Sequence, residues 1–106
     1  MPNPYRGEIE AEIGGTRRRL VLTLGALAEL EAAFGADDLA ALAQRFGAGR
    51  MRANDLIRII AAGLRGGGET VTDAEVARMS VPDGAATYVR IAVDLIEATF
   101  GAGEKS

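Results

Sequence analysis

The sequence predicts an α+β fold, with an N-terminal β-hairpin packed on a small bundle of about five helices. Two observations predict this class. Apolar and charged residues alternate on both sides of Gly14-Gly15, which is the period of strands, whereas the later apolar residues recur at helical spacing. Because 106 residues is near the usual size of one domain, we expect a single domain over 1–106, with flexible ends at 1–6 and 102–106.

The alternating segment predicts a hairpin whose tip is Gly14-Gly15. Two consecutive glycines can adopt the positive φ angles that a tight two-residue turn requires. This turn places Glu10 opposite Arg19 on the exposed face. Glu12 lies opposite Arg17 on the same face, and the apolar side chains share the other face: Ile9, Leu20 and Leu22.

Capping residues and glycines divide the remaining chain into five predicted helices. Thr23 caps the first helix and Asp83 caps the last. Glycines 66–68 end the third helix and are expected to form the most flexible joint of the chain. The predicted helices lie, in chain order, at about 24–34, within 36–49, at about 53–65, from the capping box at 72–75 to about 79, and at about 84–100.

The third and fifth helices are apolar around most of their circumference, which is typical of helices covered on more than one side. We expect four of their residues in the core: Leu56, Ile60, Val93 and Ile96. The fifth helix has two interpretations, a central core helix or a helix that offers one side to a partner. In the second case, the contact flank consists of Tyr88, Ile91 and Leu95.

The composition provides few parts for catalysis. Neither cysteine nor histidine is present, which removes thiolate metal sites, cysteine nucleophiles and the commonest general base. In "GLRGGGET", Glu69 stands where a phosphate-binding loop needs lysine, so we interpret this stretch as a loop. The acid pairs at 37–38 and at 73 and 75 lie in first helical turns, where carboxylates favour the helix dipole. We therefore expect a non-enzymatic protein without catalytic residues, cofactor or metal.

The net charge and the placement of charged residues indicate which kinds of partner to expect. A net charge of −3 argues against nucleic acid and anionic membranes as partners, and no apolar run is long enough to span a bilayer. The start of the chain lacks the apolar region of a signal peptide, so we expect a cytoplasmic protein. The cluster of Arg17, Arg18 and Arg19 is interpreted as a solvated hairpin face, with a partner-docking patch at Arg17 and Arg19 as the alternative.

Over about residues 6–101, the chain resembles the gene transfer agent family of small phage tail assembly proteins. The likeness begins at "RGE", is greatest in "LTLGALAELE", and continues through "DLIRIIAAGLRGGG", "TDAEVARM" and "AATYVRIAVDLIEATFG". One departure is Arg52, which stands where a small capping residue is expected.

The resemblance implies a tail assembly chaperone that binds the tape-measure or tail-tube protein during tail assembly. The alternative is a structural tail or head-completion subunit that is retained in the particle. A DNA-binding regulator is a third hypothesis, suggested only by the helix-turn-helix-like segment "TVTDAEVARMSV". Homo-oligomers are compatible with all three functions.

Overall fold

A β-hairpin followed by five α-helices forms the described part of the chain. The computed structural model describes residues 7–47, 51–81 and 83–101. This confirms the predicted α+β class, whereas the flexible ends predicted at 1–6 and 102–106 lie outside the described residues. The elements are β1 (Glu8–Ile13), β2 (Thr16–Val21), α1 (Leu24–Phe34), α2 (Leu39–Gly47), α3 (Ala53–Gly66), α4 (Asp73–Ala77) and α5 (Ala85–Phe100).

The hairpin has the predicted register. Gly14 and Gly15 have φ angles of 66° and 82°, as a two-residue turn of this kind requires. Glu10 pairs with Arg19 in the ladder, and Glu12 pairs with Arg17. The side-chain hydrogen bond does not join residues that are directly opposite in the ladder. The Arg17 guanidinium instead donates diagonally to Glu10 Oε1 at 2.9 Å.

The core lies between the inner face of the hairpin and helices α3 and α5. Ile60 and Ile96 are 1% and 5% exposed, which confirms their predicted burial. Leu56 and Val93 are only half-buried, so the core prediction is wrong for these two residues. Val93 lies beside the buried strip of α5, and Leu56 lines an open groove. The completely buried large side chains include Ile13, Leu20, Ile59, Leu64 and Leu95.

The end of α3 lies directly against the backbone of β2. A Cβ atom at Gly66 would lie 2.0 Å from the carbonyl oxygen of Val21, and one at Gly67 would lie 2.2 Å from that of Arg19. Neither position has room for a side chain. The predicted joint at 66–68 therefore contains two glycines that are required for close packing, and α3 extends to Gly66 rather than ending at residue 65.

Helix capping agrees with the sequence at α1 and α4. The Thr23 Oγ1 atom accepts a hydrogen bond from the backbone N–H of Ala26 at 3.1 Å. At α4, Thr72 and Glu75 form a reciprocal capping box, in which each side chain accepts from the other residue's backbone N–H. These bonds satisfy N–H groups that lack partners within the helix.

The N-terminal ends of α3 and α5 are not capped in the way that those of α1 and α4 are. At α3, Asp55 accepts a hydrogen bond from the backbone N–H of Arg52 at 2.9 Å, so the carboxylate stabilises a start that the Arg52 side chain does not cap. The prediction that Asp83 caps α5 is wrong. The N-cap is Gly84, which has no side chain, and Asp83 precedes it in a turn with a φ angle of 66°.

Candidate interaction surfaces

The predicted contact flank of α5 is mostly interior. Ile91 and Leu95 are 6% and 0% exposed, because α5 packs against α2, α3 and β1. Tyr88 is half-buried, and its hydroxyl donates a hydrogen bond to the Met79 carbonyl at 2.8 Å. The core alternative therefore describes the positions of Ile91 and Leu95. A binding function for this flank stays a prediction. Ile91 and Leu95 do not expose the surface area that a contact with a partner requires.

The hairpin arginines point to two different faces. Arg17 and Arg19 are exposed on the same face as the glutamates. Arg17 is bonded to Glu10, and Arg19 donates a hydrogen bond to the Gly67 carbonyl at 3.3 Å. Both guanidinium groups remain accessible, so the partner-docking alternative for this face stays a prediction.

Arg18 lies on the inner side of the hairpin and forms an ion pair with Glu69, in the loop after α3. Its Nε atom also donates to the Ile13 carbonyl at 2.7 Å. Glu69 is the residue that stands in place of the phosphate-loop lysine. Its carboxylate ties this loop to the hairpin, which agrees with the structural interpretation of the glycine-rich stretch.

A second polar cluster surrounds Arg65 and joins three helices. Its guanidinium bonds Glu29 on α1 at 2.8 Å, Asp73 on α4 at 3.3 Å and the Val71 carbonyl at 3.0 Å. The hydrogen bond to Glu29 raises the pKa of Arg65 against the opposing effect of burial. The first-turn carboxylate Asp73, which the sequence assigned to the helix dipole, thus also has an arginine partner.

An apolar groove of about 190 Å³ opens between α3, α4 and α5. Two buried side chains, Ile60 and Val76, form its floor. The sequence analysis did not identify it, because no single helix shows a cleft in its own periodicity. The remaining lining residues are Ala53, Leu56 and Ile57 on α3, Ala77 on α4, and Ala85 and Tyr88 on α5.

The outer face of α1 is the second unassigned apolar surface. Leu24, Ala28 and Ala32 are exposed and spaced four residues apart, so they form one line along the helix. Leu24 is 78% exposed, and the other large apolar side chain that is exposed among the described residues, Leu39, is 39% exposed. We call these three residues the α1 outer face. The sequence analysis did not assign this face, because α1 carries Glu29 and Glu31 and its pattern is typical of an ordinary amphipathic helix.

Within the described residues, no group of three or more acidic side chains is arranged to hold a metal ion. No helix in this part of the chain is long and apolar enough to cross a membrane.

The chain matches a family model over residues 6–102, and the family is described as "Phage tail tube protein, GTA-gp10". This α+β chain therefore belongs to the class of phage and gene transfer agent tail proteins. Within that class, the chain is a member of the GTA-gp10 tail tube family. No curated protein and no solved structure matches it significantly.

The family corrects one expectation from the sequence. The resemblance to gene transfer agent tail proteins is confirmed, but the predicted chaperone function is wrong, because the matched family is one of tail tube proteins, which are structural subunits. Association with other phage tail proteins follows from the same family.

Proposed function

We propose that this chain is a non-enzymatic structural subunit of a phage-like tail and is retained in the finished particle. The observation that carries the proposal is the match to a tail tube family over residues 6–102, which is nearly the whole sequence. A retained subunit must contact neighbouring subunits. The exposed apolar surfaces on α1 and between α3, α4 and α5 are of the kind that protein contacts use.

The proposed contacts are with tail-tube subunits and with the tape-measure protein, and assembly takes place in the cytoplasm. Tail subunits need surfaces that pack against copies or neighbours, and such surfaces are enriched in apolar and aromatic side chains at their centre. The apolar groove offers an aliphatic floor, and the half-buried Tyr88 lies at its edge.

Quantitative mass spectrometry of purified particles tests the proposal. Particles are washed in high salt, tails are separated from heads, and the amount of this chain is measured relative to the capsid protein. We expect several copies per particle, in the tail fraction. An abundant cytoplasmic protein from the same cells serves as the contamination control. Recovery at less than one copy per particle, or only at the level of that control, contradicts the proposal.

A further inference from the structure

We propose that the outer edge of strand β1 binds a basic segment of a different protein, which adds to the hairpin as a third, antiparallel strand. This inference goes beyond the proposed function, because it concerns a binding property of the purified chain. The chain can have this property whether or not it is retained in a particle.

The register of the hairpin shows which backbone groups of β1 are available to a partner. A two-residue turn makes Ile13 and Thr16 a hydrogen-bonded pair, and such pairs alternate along an antiparallel ladder. The N–H and C=O groups of Ala11 therefore point towards β2, whereas those of Glu10 and Glu12 point to the opposite edge. At that edge, neither glutamate backbone is hydrogen-bonded to any residue that the structure describes.

The two edges of the hairpin differ in how they are covered. At the β2 edge, the carbonyl groups of Arg19 and Val21 are covered by the end of α3, where Gly66 and Gly67 pack against them. At the β1 edge, a groove of about 250 Å³ lies open between the strand and α5. Since an uncovered strand edge is a template for pairing with another chain, β1 is the edge at which a third strand can be added.

The groove has room for one side chain of an added strand. Its volume of about 250 Å³ exceeds the roughly 150 Å³ of an apolar cavity that admits a benzene molecule. Its apolar wall is formed by the buried side chains of Ala11 on β1 and Ile91 on α5. A residue of the added strand that lies opposite Ala11 would direct its side chain to this wall, and a branched apolar residue suits such a position.

The charged side chains along the groove favour a basic partner. Four of the lining residues are acidic and one is basic, and all are exposed: Glu10, Glu12, Asp83, Asp94 and Arg90. Glu10 is already paired with Arg17. The other three acids and Arg90 form no ion pair with any described residue. These unpaired groups are three carboxylates against one guanidinium, so the groove keeps an uncompensated negative charge.

The ladder also determines where the basic side chains of the partner lie. An antiparallel strand on β1 would form hydrogen-bonded pairs at Glu10 and Glu12, whose side chains lie on the outer face of the hairpin. The two partner residues opposite them direct their side chains to the same face. Basic residues there would contact these carboxylates as Arg17 contacts Glu10, while Arg17 and Arg19 lie one strand further away. The recognised pattern is therefore basic, apolar, basic in consecutive residues.

A second copy of the hairpin does not fit this edge. Pairing between two β1 edges would place glutamate beside glutamate on the outer face, and like charges directly opposite each other are destabilising. The β2 edge, which carries Arg17 and Arg19, is covered by the end of α3 in every copy. The occupant is therefore a basic segment of another protein.

An NMR titration of the isotope-labelled chain tests the proposal. The probe is a short blocked peptide in which lysine and valine alternate, and the matched control peptide has glutamate in place of lysine. We expect saturable shifts of the Glu10 and Glu12 amide signals, with a dissociation constant of about 10 µM to 1 mM. Binding should weaken as NaCl rises from roughly 50 to 500 mM. No saturable shift at up to about 5 mM peptide, or equal binding of the glutamate peptide, overturns the proposal.

Methylation of the peptide backbone distinguishes strand addition from attraction between charges alone. In the proposed register, the lysine N–H groups donate to β1 and the valine N–H groups point away from it. Methylation of the lysine amides should therefore raise the dissociation constant roughly tenfold or more, whereas methylation of the valine amides should leave it unchanged. An equal effect of the two modifications, or a loss of binding only in the valine-methylated peptide, overturns the proposal.

A charge reversal in the chain tests the same edge from the other side. Glu12→Lys should raise the dissociation constant roughly threefold to tenfold. Glu31→Lys is the matched control, since it lies in the last turn of α1, a helix that packs on α2 and α3, and it should bind like the wild type. If circular dichroism shows that Glu12→Lys is unfolded, Asp94→Lys replaces it. Equal affinities of the edge variant and the control overturn the proposal. The particle measurement tests the proposed function separately, because it counts copies and does not depend on this peptide.

Discussion

The packing of α3 on β2 predicts that Gly66→Ala destabilises the fold although it places a better helix former in a helix. The new Cβ atom would lie 2.0 Å from the Val21 carbonyl oxygen, whereas ordinary contacts begin at 3.4 Å. The obstacle is backbone, which no side-chain rotation relieves. Overpacking costs about 1–3 kcal/mol or more, and a clash with backbone at this distance belongs at the upper end of that range, against a gain of about 1 kcal/mol in helix propensity. We expect a net loss of ~2 kcal/mol.

Gly25→Ala is the matched control, since Gly25 lies in α1 and its nearest neighbouring atom would be 3.8 Å from a new Cβ. The same substitution should there stabilise the protein by about 0.5–1 kcal/mol. Urea unfolding followed by circular dichroism measures both changes, and a loss of 2 kcal/mol should lower the melting temperature by roughly 8–16 °C. If Gly66→Ala is as stable as Gly25→Ala, the close approach of α3 to β2 is refuted.

Three further predictions concern a core residue, a helix cap and the half-buried phenol of Tyr88. Ile60→Ala should cost about 2–5 kcal/mol because Ile60 is 1% exposed; a loss below half a kcal/mol in urea unfolding contradicts its burial. Thr72→Ala should cost about 1 kcal/mol through loss of the α4 cap, and Thr70→Ala, at an exposed site two residues earlier, is the control. Burial raises the pKa of Tyr88 above 10.0, so the unfolded chain loses this proton first as pH rises. The free energy of unfolding should therefore fall above about pH 10 more steeply in the wild type than in Tyr88→Phe, and equal slopes contradict this.

Local signals in the sequence were sufficient for the hairpin and most helix bounds. The register depends on a turn whose two positive φ angles Gly14 and Gly15 adopt without strain, and one slipped residue would have moved every apolar side chain to solvent. Helix α1 begins after Thr23 and ends before Gly35, as predicted, because both ends are determined by residues within one turn.

Features that depend on distant contacts could not be predicted in this way. Glycine-rich ends of helices are usually interpreted as flexible, and only the position of β2 shows that Gly66 and Gly67 are required for packing. The same applies to Arg18, whose partner Glu69 is 51 residues away in the chain. Asp83 resembled a cap by residue type, but the chain turns there with positive φ, and the helix begins after Gly84.

The candidate surfaces show that periodicity alone does not decide which faces of a helix are covered. Helix α5 is apolar around most of its circumference, which left two interpretations open: a central core helix, or a helix that offers one flank to a partner. In the structure, α5 is covered by the hairpin, α2 and α3, so Ile91 and Leu95 complete the core. Helix α1 packs on α3 and α2 and leaves Leu24, Ala28 and Ala32 uncovered. A helix at the edge of a small domain cannot be covered on all sides by that domain, so α1 keeps this exposed apolar line beside its exposed Glu29.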